Sequence, residues 1–234
     1  MIYVMSDIHG NLKRFNRIMD LIDLHPADTL YILGDVIDRY PDGITILQRI
    51  MKAPNMKMLL GNHEYMMLKS LGIYQNRDTP SLSDILQRRK QLKCWHHNGG
   101  KATHDQFQQQ SPKEQKRIVE YLNALPRNIS IEVNGKEFLL IHGGIESNFN
   151  VYTSEYDDAI SHAVWSRNHL STCITKDKLL IFGHTPTFHF KNFFPPQIFQ
   201  QDNRIGIDCG CGYEIGRLAC LRLDDMKVFY SDEE

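Results

Sequence analysis

Short apolar runs alternate with helix-spaced apolar positions along the first third of the chain. Ile2–Met5, Leu30–Leu33 and Met56–Leu60 read as buried strands, apolar enough to be covered on both faces. Between them, Leu12, Phe15, Ile18, Met19 and Ile22 recur every three or four positions, as do Ile44, Leu47, Ile50 and Met51. That spacing predicts two helices, and Tyr65–Leu71 predicts a short third one. The strand–helix–strand order predicts a parallel sheet with right-handed crossovers. Sheets of this kind present reactive groups where strands end and loops begin.

The pattern then changes. Leu82–Trp95 and Thr103–Leu125 read as helices with one polar side, broken at Asn98-Gly99-Gly100, and together predict a helical insertion over the sheet around 82–125. Ser111-Pro112-Lys113-Glu114 reads as a capping box, with Ser111 as cap, Pro112 in the first helical position and Glu114 reaching back. The last third is mainly strands. Ile129–Val133 and Lys136–Ile141 flank Asn134-Gly135, a two-residue hairpin signal. Leu179–Phe182 is another buried run. Arg204–Ile207, Leu218–Leu223 and Lys227–Tyr230 predict a closing antiparallel set, and Phe188–Gln200 an irregular surface excursion. With no repeat or low-complexity linker in 234 residues, the expectation is a single domain over 1–234.

Composition narrows the class. Lys plus Arg is 27 and Asp plus Glu 28, a net charge of −1, so attachment to nucleic acid through overall charge is excluded. The start, Met1 to Asp7, lacks the basic head and long apolar stretch of a signal peptide, and no run approaches a membrane span. The expectation is a cytoplasmic monomer with reduced cysteines and no membrane or nucleic-acid partner. Eleven histidines is the count that asks for a reason, and their positions supply it.

Five apolar runs end in chemistry. The first leads into Asp7-Ile8-His9-Gly10, the second into Gly34-Asp35-Val36-Ile37-Asp38-Arg39, and the third into Gly61-Asn62-His63-Glu64. The hairpin ends in His142-Gly143-Gly144 and the Leu179 run in Gly183-His184-Thr185. Caps and turns use Ser, Thr, Asp and Asn interchangeably, but none calls for histidine at four strand ends out of five. Oxygen and imidazole donors without thiolates suit Mn²⁺, Fe or Zn²⁺. Asp7 and His9, two apart in an extended segment, share one side and could bind one ion together. His142, His184 and Asn62 could hold a second, with Asp35 placed to bridge. Two such ions clamp phosphate oxygens and acidify water for in-line displacement.

These motifs (GDxHG-like, GDxxDR, GNHE, HG and GH) resemble those of the calcineurin-like metallophosphoesterases. GDVIDR and GNHE resemble the phosphoprotein phosphatase branch. Trp95-His96-His97-Asn98-Gly99-Gly100, Val164-Trp165-Ser166-Arg167 and Ile181-Phe182-Gly183-His184-Thr185-Pro186 are similar to segments of the lambda-phage-type protein Ser/Thr phosphatases. The resemblance spans nearly the whole chain. It implies an α/β fold of two facing mixed β-sheets flanked by helices, and two divalent metals, Mn before Fe or Zn. It implies Asp7 and His9 on the first metal, Asp35 bridging, and Asn62, His142 and His184 on the second. His63 is then the general acid oriented by Asp38, and Arg39, Arg167 and Asn62 contact phosphate. The implied activity is hydrolysis of phosphoserine and phosphothreonine in proteins or peptides by a hydroxide held between the metals. The alternative is a symmetrical bis(5'-nucleosyl)-tetraphosphate hydrolase on the same core.

Two departures stand out. Ser6 precedes Asp7 where the family has glycine, and Tyr40 follows Arg39 where the family has glycine. Tyr40 takes a positive φ less readily, so a different loop after Arg39 is expected. Cys209-Gly210-Cys211 is expected to pack as small buried residues. Gly143-Gly144 is expected to turn the backbone tightly, and His96-His97 to line the site's mouth.

Overall fold

The first sheet begins with β1 (Ile2–Met5), β2 (Thr29–Ile32) and β3 (Met56–Met58), all parallel. This is a computed structural model, and it describes residues 1–73, 81–145, 148, 150, 155, 158–167, 177–190 and 194–232. The predicted helices α1 (Leu12–Ile22) and α2 (Gly43–Lys52) make the crossovers. The third helix, α3 (Asn62–Ser70), starts three residues earlier than its apolar periodicity suggested, because Gly61 caps it.

The middle segment is helical as expected: α4 (Leu82–Trp95), α5 (Lys101–Gln108) and α6 (Pro112–Asn123). Between α4 and α5 the chain winds through one π-helical turn, His96–Gly100, with Gly99 at φ 95°. Ser111 does cap α6, accepting from the Glu114 N–H at 3.3 Å. The Glu114 carboxylate, however, faces Gln48 (3.3 Å) and Arg117 (2.8 Å).

The second sheet holds β4 (Asn128–Val133), β5 (Lys136–Ile141), β6 (Leu179–Phe182), β7 (Phe199–Gln201) and β8 (Arg204–Gly206), in the order β4-β5-β6-β8-β7. The β4–β5 turn is the predicted hairpin, with Asn134 at φ 51° and Gly135 at φ 75°. The final strands β9 (Ala219–Arg222) and β10 (Lys227–Tyr230) return to the first sheet, whose order is β10-β9-β1-β2-β3.

The expected closing antiparallel set is therefore divided. β8 runs parallel to β6 in the second sheet, while β9 lies antiparallel to β1 in the first. Apolar content alone does not say which sheet edge a late strand joins. The expected excursion over Phe188–Gln200 is also shorter, since Phe199 opens β7; its 191–193 portion lies outside the described residues.

Period-two alternation places the core. Val4, Tyr31 and Leu33 point between the sheets and meet Phe138, Leu140, Ile181 and Ile205 there. Their neighbours Tyr3, Met5, Leu30 and Ile32 point outward under the helices with Phe15, Ile18, Leu47 and Met67. On the outer face of the second sheet, Leu139, Ile141, Leu180 and Phe182 pack together. With apolar residues on both faces of β1, β2, β5 and β6, the polar side chains after those strands gather at one end.

Candidate metal centre

Pairing continues past the strands and brings the loops together. The N–H groups of Asp7, His9 and Gly10 donate to the carbonyls of Gly34, Asp35 and Val36, at 3.1, 2.9 and 2.7 Å. Gly183 N–H donates to the His142 carbonyl at 3.1 Å. These bonds carry two strand ends from each sheet onto one edge, and α3 starts beside them with Asn62 and His63.

The loops are not extended, so the expected sharing of one side by Asp7 and His9 in an extended segment does not hold. Asp7, His9, Asp35, Asp38, Arg39 and His184 all have positive φ, between 52° and 75°. They are six of the ten such non-glycine residues among the described ones. Each costs about 1–3 kcal/mol that the surrounding structure must offset, and such outliers concentrate at functional sites. Tyr40 keeps a negative φ; Asp38 and Arg39 carry the left-handed turn instead.

The donor atoms converge. His9 Nε2 lies 3.8 Å from an Asp7 oxygen and 3.9 Å from an Asp35 oxygen. The other Asp35 oxygen lies 3.4 Å from His142 Nε2. Asn62 Oδ1 stands 2.9 Å from His142 Nε2 and 2.8 Å from His184 Nδ1. His9, Asp35 and His63 form one group able to hold an ion, and Asp35, His142 and His184 a second, with Asp35 common to both. The first group differs from the expected set: His63, expected as the acid, falls within it, while Asp7, expected as a ligand, stands beside it with an oxygen 3.8 Å from His9 Nε2. Every one of these residues is buried.

Outer contacts fix the rings. His142 Nδ1 is held by the Leu33 carbonyl at 2.6 Å and His9 Nδ1 by the Ile37 carbonyl at 3.2 Å. The Asp7 carboxylate accepts from Ser6 and from the His184 N–H, at 3.0 Å for the latter. Ser6 thus gives the place usually held by glycine a structural use.

His63 pairs through Nδ1 with Asp38 Oδ2 at 2.6 Å, while its Nε2 lies 3.8 Å from Asp35. Asp38 is itself held by the indole N–H of Trp95 at 2.8 Å, and its N–H donates to Thr103 at 2.9 Å. Burial works against a charged His63, but the Asp35 and Asp38 carboxylates prevail and its pKa is raised. His9 is pushed well down by burial, with the neighbouring His63 adding to the effect. Burial drives Asp35 well up, reinforced by Asp7 and Glu64.

Several residues were missed from sequence. Glu64, the last residue of the GNHE motif, accepts the N–H groups of Asp35 (2.9 Å), Val36 (2.9 Å) and Gly61 (3.1 Å). This buried carboxylate ties the second loop to the start of α3. Asp208, at the end of β8, is buried beside Asp7 and Asp35, and burial raises its pKa well above the usual range. It obeys the strand-end pattern, which becomes visible only once β8 is seen to run parallel to β6. Trp95 was legible only as part of the Trp95–Gly100 segment and Thr103 only as a helix start, since their hold on Asp38 exists only after α4 and α5 pack onto its loop.

Other expectations are refined. Gly143 and Gly144 do not turn with positive φ. A Cβ on either would stand 2.8 Å from a carbonyl of α7 (Ala159–Trp165), so close packing requires glycine there. His96 pairs with His104 at 2.9 Å behind Trp95, while Asn98 reaches the mouth. Cys209 and Cys211 are buried, with thiols pushed by burial up to about 12, and so pack as apolar groups.

Above the donors opens a cavity of about 370 Å³, lined by Asp35, Arg39, Asn62, His63, Arg167 and His184 with Trp165 and Tyr213 at its walls. Arg167 is exposed, and its Nε donates to Thr185 at 3.0 Å. A wider groove of about 980 Å³ lies between α1 and the C-terminal segment, but contains none of the candidate residues. No helix among the described residues is long and apolar enough to cross a membrane.

Five buried carboxylates (Asp7, Asp35, Asp38, Glu64 and Asp208) crowd this edge with oxygen and imidazole donors and no thiolate. Such a set fits hard or borderline divalent cations. That chemistry agrees with the family: residues 1–220 match the model of the calcineurin-like phosphoesterases, and the chain belongs to that family of metal-dependent hydrolases. Several curated relatives are symmetrical bis(5'-nucleosyl)-tetraphosphatases. That of Erwinia tasmaniensis is 25% identical over 157 residues, covering 65% of this chain and 47% of the relative. That of Delftia acidovorans is 33% identical over 99 residues, 40% of this chain and 35% of the relative. The match thus spans half or less of those relatives' lengths. That of Wigglesworthia glossinidia brevipalpis is 26% identical over 280 aligned positions, 97% of each chain. Among solved structures, a protein provisionally named a diadenosine tetraphosphatase superposes with TM-score 0.62 at 17% identity, covering 98% of this chain and 91% of that one. A metallophosphoesterase from Sphaerobacter thermophilus gives 0.54 at 17%, covering 98% and 86%. At these identities the likeness is one of fold: two five-stranded mixed sheets flanked by helices, as the sequence implied.

Proposed function

We propose that this chain hydrolyses dinucleoside tetraphosphates symmetrically, breaking the central phosphoanhydride to release two nucleoside diphosphates. The observation that carries this reading is the name shared by the curated relatives, one of them aligned over 97% of both chains. The cavity supports it: Arg39 and Arg167 suit phosphate oxygens, and Trp165 and Tyr213 offer aromatic surface beside them. Hydrolysis of protein phosphoesters, the first expectation from the motifs, becomes the second reading; the WSR and FGHTP segments favour it.

In either reading the residues divide the work alike. Asp7, His9, Asp35, Asn62, His142 and His184 would hold two divalent ions. Such ions supply charge that clamps phosphate oxygens and acidifies water. Arg39, Arg167 and Asn62 bind and orient the phosphoryl group. His63, kept protonated by Asp38 and Asp35, delivers a proton from Nε2 to the leaving oxygen. One water is consumed: its oxygen joins one phosphorus, and the bridging oxygen leaves with the other half and takes the proton.

The leaving group separates the readings. A nucleoside diphosphate leaves as a weak base, whereas a serine alkoxide needs protonation. Mn²⁺-loaded protein offered diadenosine tetraphosphate and a phosphoserine peptide is expected to release ADP at the higher kcat/KM, with no ATP or AMP. Phosphate release from the peptide alone would overturn the first reading in favour of the second.

A further inference from the structure

Arg39 sits in a narrow mount built by two loops. On one side its N–H donates to the Gly99 carbonyl at 3.0 Å, and a Cβ on Gly99 would stand 3.0 Å from Arg39 Cγ. On the other, a Cβ on Gly212 would lie 2.6 Å from both an Arg39 guanidinium nitrogen and the His9 ring. The next residue, Tyr213, lays its ring against the Arg39 guanidinium, 4.6 Å from Cζ to the ring centroid. Phe188 meets the Tyr213 ring edge-on at 5.7 Å.

The loop that carries Tyr213 is held from outside the site. Arg14, in the first turn of α1, donates from its guanidinium to the carbonyls of Cys211 (2.7 Å), Tyr213 (2.9 Å) and Glu214 (3.1 Å). One planar fork thus spans four residues of backbone, which a lysine ammonium cannot do. The Cys211 thiol adds a bond to the Ile8 carbonyl at 3.3 Å, tying the loop to the segment between Asp7 and His9.

We propose that Arg14 is a positioning residue: by fixing residues 211–214 it holds Tyr213 against Arg39 and so aims the Arg39 guanidinium at the substrate phosphoryl group. A free arginine samples many rotamers, and ordering them on binding weakens affinity. Stacking on Tyr213 removes that freedom beforehand. The inference rests on Arg39 as a phosphate ligand, not on which phosphate compound is turned over.

The test is kinetics on an aryl phosphate, with Mn²⁺-loaded protein, so that its outcome is separate from that of the dinucleotide comparison. Arg14→Ala and Tyr213→Leu are each expected to lower kcat/KM about 10-fold, the scale of one guanidinium–aromatic contact. Arg14→Lys should behave like Arg14→Ala, and Tyr213→Phe should restore the wild-type value. In an Arg39→Ala background both losses should vanish, and the Kd for inorganic phosphate, read by calorimetry, should follow the same pattern. The half-exposed Tyr213 gives a variant whose folding is not at stake. Losses that persist undiminished without Arg39, or no loss in its presence, overturn the proposal.

Discussion

The Asp38–His63 pair is the smallest unit of the site that makes a sharp statement. The 2.6 Å contact and the nearby Asp35 hold His63 protonated to higher pH than a free imidazole. An acid whose pKa is raised keeps working as pH rises until that value is passed. Asp38→Asn removes one of the two supporting carboxylates, so the alkaline limb of the kcat/KM profile is expected to move to lower pH; an unmoved limb would contradict the assignment. His63→Asn should slow turnover of a phosphoserine peptide by about 10²–10⁴-fold. The loss with a dinucleotide should be smaller, because its leaving group needs the proton less. The strand-end residues were legible from sequence because each carried an improbable side chain at a strand end. Glu64 and Asp208 were not legible in this way, because an acid near a strand end or in a first helical turn is ordinary, and only burial distinguishes them.

At the scale of elements, the site depends on strand ends that press against one another. Gly183 follows β6, and a Cβ there would stand 2.0 Å from Ser6 Oγ and 2.4 Å from Asp7 Oδ2. Gly183→Ala is expected to displace Asp7 and to weaken divalent-metal binding by calorimetry more than it lowers the melting temperature. Elements remote from that edge should behave oppositely. Phe138→Ala, between the sheets, should cost about 3–5 kcal/mol in denaturant unfolding. Ser111→Ala should cost about 1 kcal/mol at the α6 cap. In both, kcat of the folded fraction should be unchanged. The predicted helices, the hairpin and the strands whose ends gather at one edge match what is observed, since local periodicity decides them. The placement of β8 and β9 in different sheets does not follow from periodicity, because both are short apolar runs whose partners are distant in sequence.

Across the whole molecule, two sheets of modest size bring acids together at a buried edge where they would repel without a cation. Asp35 and Asp208 both have folded pKa values raised above the ordinary 3.8 by burial. A group raised in the folded state holds its proton there more tightly, so metal-free protein should lose stability as pH climbs from that value. Metal removes the penalty: at about a thousandfold excess over Kd, each ion adds roughly 4 kcal/mol. Melting temperature measured against pH, with chelator and with Mn²⁺, should show a falling curve that divalent metal flattens. The overall architecture was legible through its motifs, which belong to a family whose sheets and loops travel together. The choice between dinucleotide and phosphoprotein was not, because the motifs carry the metal donors and phosphate-facing arginines common to both readings, whereas Tyr213, on the cavity wall beside Arg39, belongs to no motif.

The account stands or falls on whether five strand ends and one shared carboxylate hold two ions. Calorimetric titration of metal-free protein with Mn²⁺ reads this directly. The expected result is two ions per chain in the wild type and in His63→Asn, with fewer than two in Asp35→Asn. One ion or none in the wild type, or an unaltered two in Asp35→Asn, would contradict it.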